Sequence, residues 1–276
     1  LKVQDKQAEI NLTEREIEEG AYLGSDLRDK ARRKNLQLLQ AILSDNQLVL
    51  DAGCGPGNYA ISLAEKNEIA GIDISSKVVG MAKERANKKN AMFHPFVGDL
   101  ERLPFRDNSF DVCLCIYTLH HLPDIYGAVS ELVRVAKTEG RIAILDVNGS
   151  NPGVRLSNIM ENLIRRHLVK RWLDTPNETI HGHRYYINTL DQLGIIDIRS
   201  EYHCVGGMPP LPRKSKKQDV GLSIIYFIVH LRRLVYILMA KLFPDPIGGS
   251  SLLITGTKKY DIAPNNLSIK HAKNSH

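Results

Sequence analysis

Leu48–Ala60 reads LVLDAGCGPGNYA, with glycines at alternate positions 53, 55 and 57 behind an apolar run that ends in Asp51. A short apolar run stopped by glycine reads as a strand buried on both faces. Glycine at such a turn tolerates positive φ and presents backbone without a Cβ, so a ligand can touch the main chain. In an open parallel sheet, the glycine-rich turn between the first strand and its helix is where nucleotide-type ligands sit. The dinucleotide fingerprint is GxGxxG. Here the third glycine arrives one residue early, giving GxGxG, and the pyrophosphate logic fits less well. Asp51 is also a poor neighbour for a phosphate and a good one for a cation. A ligand with adenosine, an ammonium and a sulfonium suits this turn better than a dinucleotide does.

Outward from the turn, strands alternate with helices. A helix is expected across Tyr59–Lys66, then a strand in EIAGIDIS, a helix over Lys77–Asn90 and a strand over Met92–Val97. FDVCLCIY reads as the fourth strand, Ile125–Ala136 as a helix and GRIAILDV as the fifth strand. This rhythm predicts an α/β fold, a doubly wound and mostly parallel sheet with helices on both faces. Later come a polar loop, DTPNETIHGHRYY, a short helix in NTLDQLG, and strands in IIDIRSEY and SSLLITGT, giving seven strands. Before the core, Thr13 and Glu16 have capping-box spacing, and Ser25 can cap a helix carrying Leu36, Leu39 and Leu43.

The expected organisation is a helical N-terminal cap over residues 1–45, a cofactor-binding core over 46–150, and an acceptor-side region over 151–260. A polar tail over 261–276 is expected to be disordered. The acceptor-side region contains an apolar helical insert at 219–243, placed between Asp219 as a cap and Pro244 as a stop. Arg232 and Arg233 at its centre argue against a membrane span. The insert therefore reads as a lid over the acceptor, a homodimer contact or a membrane-surface element. The preceding PRKSKK favours anionic lipid.

The chain has 276 residues, 43% hydrophobic, with a net charge of +6. That is enough for a sizeable core, and the mild basicity reads as ordinary solubility. Its four cysteines lack the spacing of a secreted disulfide framework, and the first twenty residues carry no apolar signal stretch. A cytoplasmic setting is expected, with peripheral contact at a membrane surface as the further possibility that the insert raises. The basic residues Arg165, Arg166, Lys170 and Arg171 have no interleaved aromatics, so nucleic acid is an unfavoured partner.

Four segments in register carry a resemblance. VLDAGCGPG, GIDIS, VGDLERLPFRDNSFDVCLCIYTLHHLPD and ELVRVAKTEGRIAILD resemble successive motifs of class I S-adenosylmethionine-dependent methyltransferases. The similarity is strongest to the Rossmann-like subgroup, methyltransferase type 11-like, that acts on small molecules and on quinone-type or lipid-like substrates. It covers roughly residues 45–150. It implies S-adenosyl-L-methionine as cofactor, S-adenosyl-L-homocysteine as product, and a small-molecule or lipid-like acceptor. Asp51 with the Gly53, Gly55 and Gly57 turn would hold the methionine end. Asp73, twenty-two residues after Asp51, would accept the ribose hydroxyls, or else cap the following helix. Ile74 would pack on adenine, Asp99 would accept from the adenine amino group, and Leu100 would offer its backbone N–H. Cys115 would line the pocket.

Methyl transfer from a sulfonium is an in-line displacement, in which positioning supplies up to ~7–11 kcal/mol. A general base is needed only when the nucleophile arrives protonated. Candidates follow the fourth strand in IYTLHHLPD: His121 first, with Tyr117 and His120 also there, while a structural role for HHL is at least as ready a reading as a catalytic one. The Asn/Asp-Pro-Pro-aromatic motif of nucleobase amino methylation is replaced here by Tyr117-Thr118-Leu119-His120. His181 and His183 read as a solvated loop or as one that closes over the site. Cys113 and Cys115 read as buried strand cysteines, and no metal is expected.

Overall fold

The computed structural model describes residues 6–8, 10–11, 14, 26–156, 159, 179–203 and 250–260. Its elements are α1 (Asp26–Ile42), β1 (Leu48–Ala52), α2 (Ala60–Leu63), β2 (Glu68–Asp73), α3 (Ser76–Lys89), β3 (Phe93–Val97), β4 (Phe110–Ile116), a 3-10 turn (Leu119–His121), α4 (Ile125–Val135), β5 (Ala136–Val147), α5 (His183–Gln192), β6 (Ile195–His203) and β7 (Ser251–Lys258). The strands form one seven-stranded sheet in the order β3-β2-β1-β4-β5-β7-β6. Strands β1 to β5 are parallel, and β7 runs antiparallel to both β5 and β6. The sheet is doubly wound, and its order reverses between β1 and β4. That crevice is where ligands collect in such sheets.

Strand alternation divides the core. Leu50, Ala52, Cys113, Cys115, Ile142 and Ile144 face one layer, which α4 and α5 cover through Val129, Leu132, Tyr186 and Leu190. Val49, Leu114, Ala143 and Leu145 face the other, covered by Leu39 of α1, Ala60 and Leu63 of α2, and Ala82 and Ala86 of α3. Burial on both faces explains why these strands read as continuous apolar runs. Ser75 caps α3, its Oγ accepting from the Val78 N–H at 3.3 Å. The N-cap reading of Asp73 therefore passes to Ser75.

Three boundaries differ from expectation. The helix after the glycine turn covers only Ala60–Leu63, because the Leu63 carbonyl is taken by Lys66 N and Asn67 Nδ2 and the chain turns into β2. β5 begins at Ala136 rather than Gly140 and reaches β4 through an irregular register, with Glu139 at φ 64°. The segment HRYY is not loop but the first turn of α5, because Tyr186 is drawn into the core. The insert 219–243, Cys204, the tail and most of 157–178 lie outside the described residues. Among the described residues no helix is long and apolar enough to cross a membrane.

Candidate active site

The glycine turn is held from below and behind. The N–H groups of Gly53 and Cys54 donate to the Ile72 carbonyl at 2.8 and 3.0 Å. Arg85 Nη1 donates to the Pro56 carbonyl at 2.6 Å and to Asn58 Oδ1 at 2.9 Å. Gly53 has φ 78°, and a Cβ there would lie 2.2 Å from Thr118 Oγ1. Gly53→Val is therefore expected to cost ~1–3 kcal/mol through overlap, with a further ~1–2 kcal/mol for the left-handed backbone. A denaturant titration checks this, and an unchanged midpoint would refute it. Gly55 has φ 52° and nothing within 4 Å of a built Cβ, so its backbone faces open space. Gly57 instead packs against Phe93 and Ile61.

Around this turn stand the acidic residues that end the strands. Asp51 is 2% exposed at the end of β1. Burial, and then the charge of Asp73, push its carboxyl up to about 7. Asp73 accepts from Gly55 N and Ser75 N, each at 3.0 Å. A carboxylate has about four lone-pair sites, so this one can hold the turn and still accept two ribose hydroxyls. Burial raises its pKa, against the lowering effect of those backbone donors. Ile74 is half-buried beside it, and Leu100 is buried in the core. Asp99 sits beyond β3, where Oδ1 accepts from Glu101 N at 3.0 Å and Oδ2 is paired with Lys6. Lys6 also meets Glu101 at 2.7 Å, and Ser75 Oγ donates to Glu14 at 3.4 Å. The N-terminal segment thus crosses the adenosine end, and a cation already meets the carboxylate assigned to the adenine amino group.

On the opposite face, at the carboxyl end of β4 and β5, lies a second acidic centre. His120 Nδ1 lies 2.5 Å from Asp146 Oδ1. Val147 N donates to the same oxygen at 2.8 Å, and the Tyr186 hydroxyl donates to Oδ2 at 3.0 Å. Burial alone would raise the Asp146 carboxyl, but the His120 imidazole and these donors outweigh it and hold it below the usual range. An ionised carboxylate only accepts. His120 therefore carries a proton on Nδ1, directed at this carboxylate. His121 packs against His120 with ring centroids 4.1 Å apart and ring planes tilted by 41°. Residues 179–183 run past this pair. Thr179 N donates to the His120 carbonyl at 2.9 Å, Gly149 N to the His181 carbonyl at 2.9 Å, and His183 Nδ1 lies 2.8 Å from Ser150 Oγ. His181 stacks on Tyr185 at 4.0 Å.

Cys115 is 1% exposed between the two centres, and burial followed by the charges of Asp146 and Asp51 raises its thiol. Tyr117 is turned to the Asp51 face, with its hydroxyl donating to Ser251 Oγ at 2.9 Å and accepting from Asn35 Nδ2 at 3.2 Å. Burial raises its phenol well above the usual value. Among the described residues no cluster of three His, Cys, Asp or Glu is placed to hold a metal ion.

Asp146, Tyr186 and Asn35 carried no role in the sequence reading. For Asp146 a signal was available, since it closes a strand at the carboxyl edge just as Asp51 and Asp73 do. Tyr186 and Asn35 offered none, because their partners lie on elements far away in sequence.

Residues 50–144 match the family model described as a methyltransferase domain. The stretch from β1 to β5 is thus similar to a methyltransferase domain. The chain is 34% identical over 145 residues to the uncharacterized methyltransferase YcgJ of Bacillus subtilis, covering 51% of this chain and 52% of that protein. It is 38% identical over 104 residues to the 27-O-demethylrifamycin SV methyltransferase of Amycolatopsis mediterranei, covering 36% and 38%. The match therefore spans about half or less of these relatives' lengths. Among solved structures, a phosphoethanolamine N-methyltransferase 2 of Haemonchus contortus in complex with S-adenosyl-L-methionine superposes with a TM-score of 0.61 at 19% identity, over 83% of this chain and 53% of that one. At that identity the likeness concerns the fold. S-adenosylmethionine fits the chain's own geometry: an open backbone at Gly55, a buried acid for a cationic end, and a second acid with acceptor sites for a ribose.

Proposed function

We propose that this chain is a methyltransferase that moves a methyl group from S-adenosylmethionine to a hydroxyl of a small molecule, with His120 as general base. The observation that supports this reading is the His120–Asp146 pair at the carboxyl edge, across the sheet from Asp51. The cofactor supplies an electrophilic methyl on a positively charged sulfur. Everything else is asked of the chain. Asp73 and Asp51 fix the two ends of the donor. Asp146 keeps the His120 proton on Nδ1 and stabilises the imidazolium formed when Nε2 takes the hydroxyl proton. When bound, S-adenosylmethionine would supply the methyl and leave as neutral S-adenosylhomocysteine, while His120 would take the hydroxyl proton and pass it to solvent. His181 and Tyr185 stand beside this pair as the wall that an aromatic or apolar acceptor would meet. The printed name of the rifamycin relative, which places the methyl on oxygen, agrees with a hydroxyl acceptor.

A second reading has its own support. Asp146 already accepts three hydrogen bonds, the pattern of a pin that holds residues 179–183 and α5 in place. On that reading the acceptor arrives already anionic or nucleophilic, and positioning alone suffices.

Calorimetry with S-adenosylhomocysteine and NAD tests the cofactor. S-adenosylhomocysteine is expected to bind at least tenfold more tightly, and tighter binding of NAD would overturn the reading. Labelled S-adenosylmethionine with a panel of phenols, catechols and quinols then tests the acceptor. Label on oxygen supports the hydroxyl, whereas label only on carbon or nitrogen rejects it.

A further inference from the structure

We propose that α1 completes the subsite for the cofactor's amino-acid end, with Asn35 Oδ1 as an acceptor for its ammonium. The inference rests on the S-adenosylmethionine reading above and adds a residue from outside the glycine motif.

Asn35 is 1% exposed. Its Nδ2 spends both donors, one on the Tyr59 hydroxyl at 3.1 Å and one on the Tyr117 hydroxyl at 3.2 Å. Tyr117 hands its own proton to Ser251, so it meets Asn35 as an acceptor and fixes which way the amide points. That leaves Asn35 Oδ1 buried with no hydrogen-bond partner. A buried carbonyl in that state forfeits its hydration with nothing in return, and orphans of this kind call for an explanation. The surroundings narrow it. Tyr59 follows the glycine turn directly; burial raises its phenol, the Asn35 bond and the Arg32 charge lower it, and the Asp51 charge also raises it, which places Tyr59 near that carboxylate. Tyr59 and Tyr117 both pack on the α1 face of the sheet, the face to which strand alternation also turns Asp51. A carboxylate and an amide oxygen offer acceptors only, so a group with several N–H donors and positive charge is what matches them. The α-ammonium is that group.

The site is also stiffened. Tyr117 holds φ 51°, a left-handed region that a bulky residue adopts only where its surroundings impose it. Its amide donates to the Leu145 carbonyl at 2.7 Å, and its hydroxyl is clamped between α1 and β7. Asn35 thus presents its oxygen from a fixed position, which lowers the cost of ordering on binding.

The test compares two ligands on the full chain by calorimetry: S-adenosylhomocysteine, and 5′-methylthioadenosine, which keeps the adenosine and sulfur but lacks the amino-acid end. N35A is expected to weaken S-adenosylhomocysteine at least tenfold and 5′-methylthioadenosine by less than twofold. N35D keeps an acceptor oxygen while losing the amide donors, so its ratio of the two affinities should stay within about threefold of wild type. Using the ratio keeps the comparison sound if a variant is partly destabilised, and N35D carries it if N35A fails to fold. Equal losses for both ligands, or an unchanged ratio in N35A, would overturn the inference while leaving the cofactor reading intact. An N35D ratio that falls as far as that of N35A would also overturn it. Failure of the wild-type chain to bind S-adenosylhomocysteine would remove the cofactor reading itself.

Discussion

His120→Ala is expected to lower turnover by about 10²–10⁴-fold, the usual worth of a positioned general base, while S-adenosylhomocysteine affinity stays within about twofold. Asp51 and the His120–Asp146 pair are turned to opposite faces of the sheet at the same carboxyl edge. Asp51 aligns with Leu114 on the α1 side, and Asp146 lies with His120 and Tyr186 on the α4–α5 side. A defect confined to the second centre should therefore appear in the rate of methyl transfer and not in cofactor binding. Asp146→Asn sharpens the test. An amide can donate to Nδ1, which would place the His120 proton on Nε2 and leave no base facing the acceptor. Turnover is then expected to fall nearly as far as in His120→Ala. Tyr186→Phe removes one of three donors to Asp146 and should cost less, at most about tenfold. If His120→Ala and Asp146→Asn lower the melting temperature but leave the rate per folded molecule unchanged, the pair is structural and the acceptor needs no base.

The sequence made the first centre legible and hid the second, for a physical reason. Asp51, the glycines and Asp73 are local features of a strand–turn–helix and of the next strand end. Their spacing along the chain is their spacing in space. His120 and Asp146 meet only because β5 lies beside β4 and ends at the same edge. Two adjacent histidines in IYTLHHLPD differ only in where a single 3-10 turn points them, and no periodicity distinguishes them. The segment HGHRYY looked solvated by composition. Tyr186 is 1% exposed because a buried carboxylate waits for its hydroxyl, which is a fact about Asp146 and not about that segment. Asn35 was hidden likewise, in a helix whose leucines announced packing and nothing more.

Asp51→Asn is expected to reduce S-adenosylhomocysteine affinity by about 10–100-fold at pH 8 and to remove its dependence on pH. The carboxyl of Asp51 is raised to about 7, first by burial and then by the like charge of Asp73. Below that pH the unliganded site holds a proton that a bound ammonium must expel. Affinity of the wild-type chain should accordingly rise up to tenfold per unit between about pH 5 and 7 and level off above, with one proton released per ligand on the acid side. Calorimetry in buffers of different ionisation enthalpy reads both quantities. The same shift acts on folding with the opposite benefit. The unfolded chain ionises this group near 3.8 and the folded one near 7. The folded state therefore holds the extra proton between those values. Its contribution to stability is complete below about pH 4 and is lost as the pH rises through 7. Asp51→Asn carries no such loss, so the unliganded variant should melt higher than wild type at pH 8, and the ligand should stabilise wild type more than the variant. A variant that binds as tightly as wild type, with the same slope against pH, would show that the cationic end of the cofactor is held elsewhere. A variant that binds weakly yet melts no higher would separate the two roles, leaving Asp51 as a ligand contact whose burial costs the fold nothing.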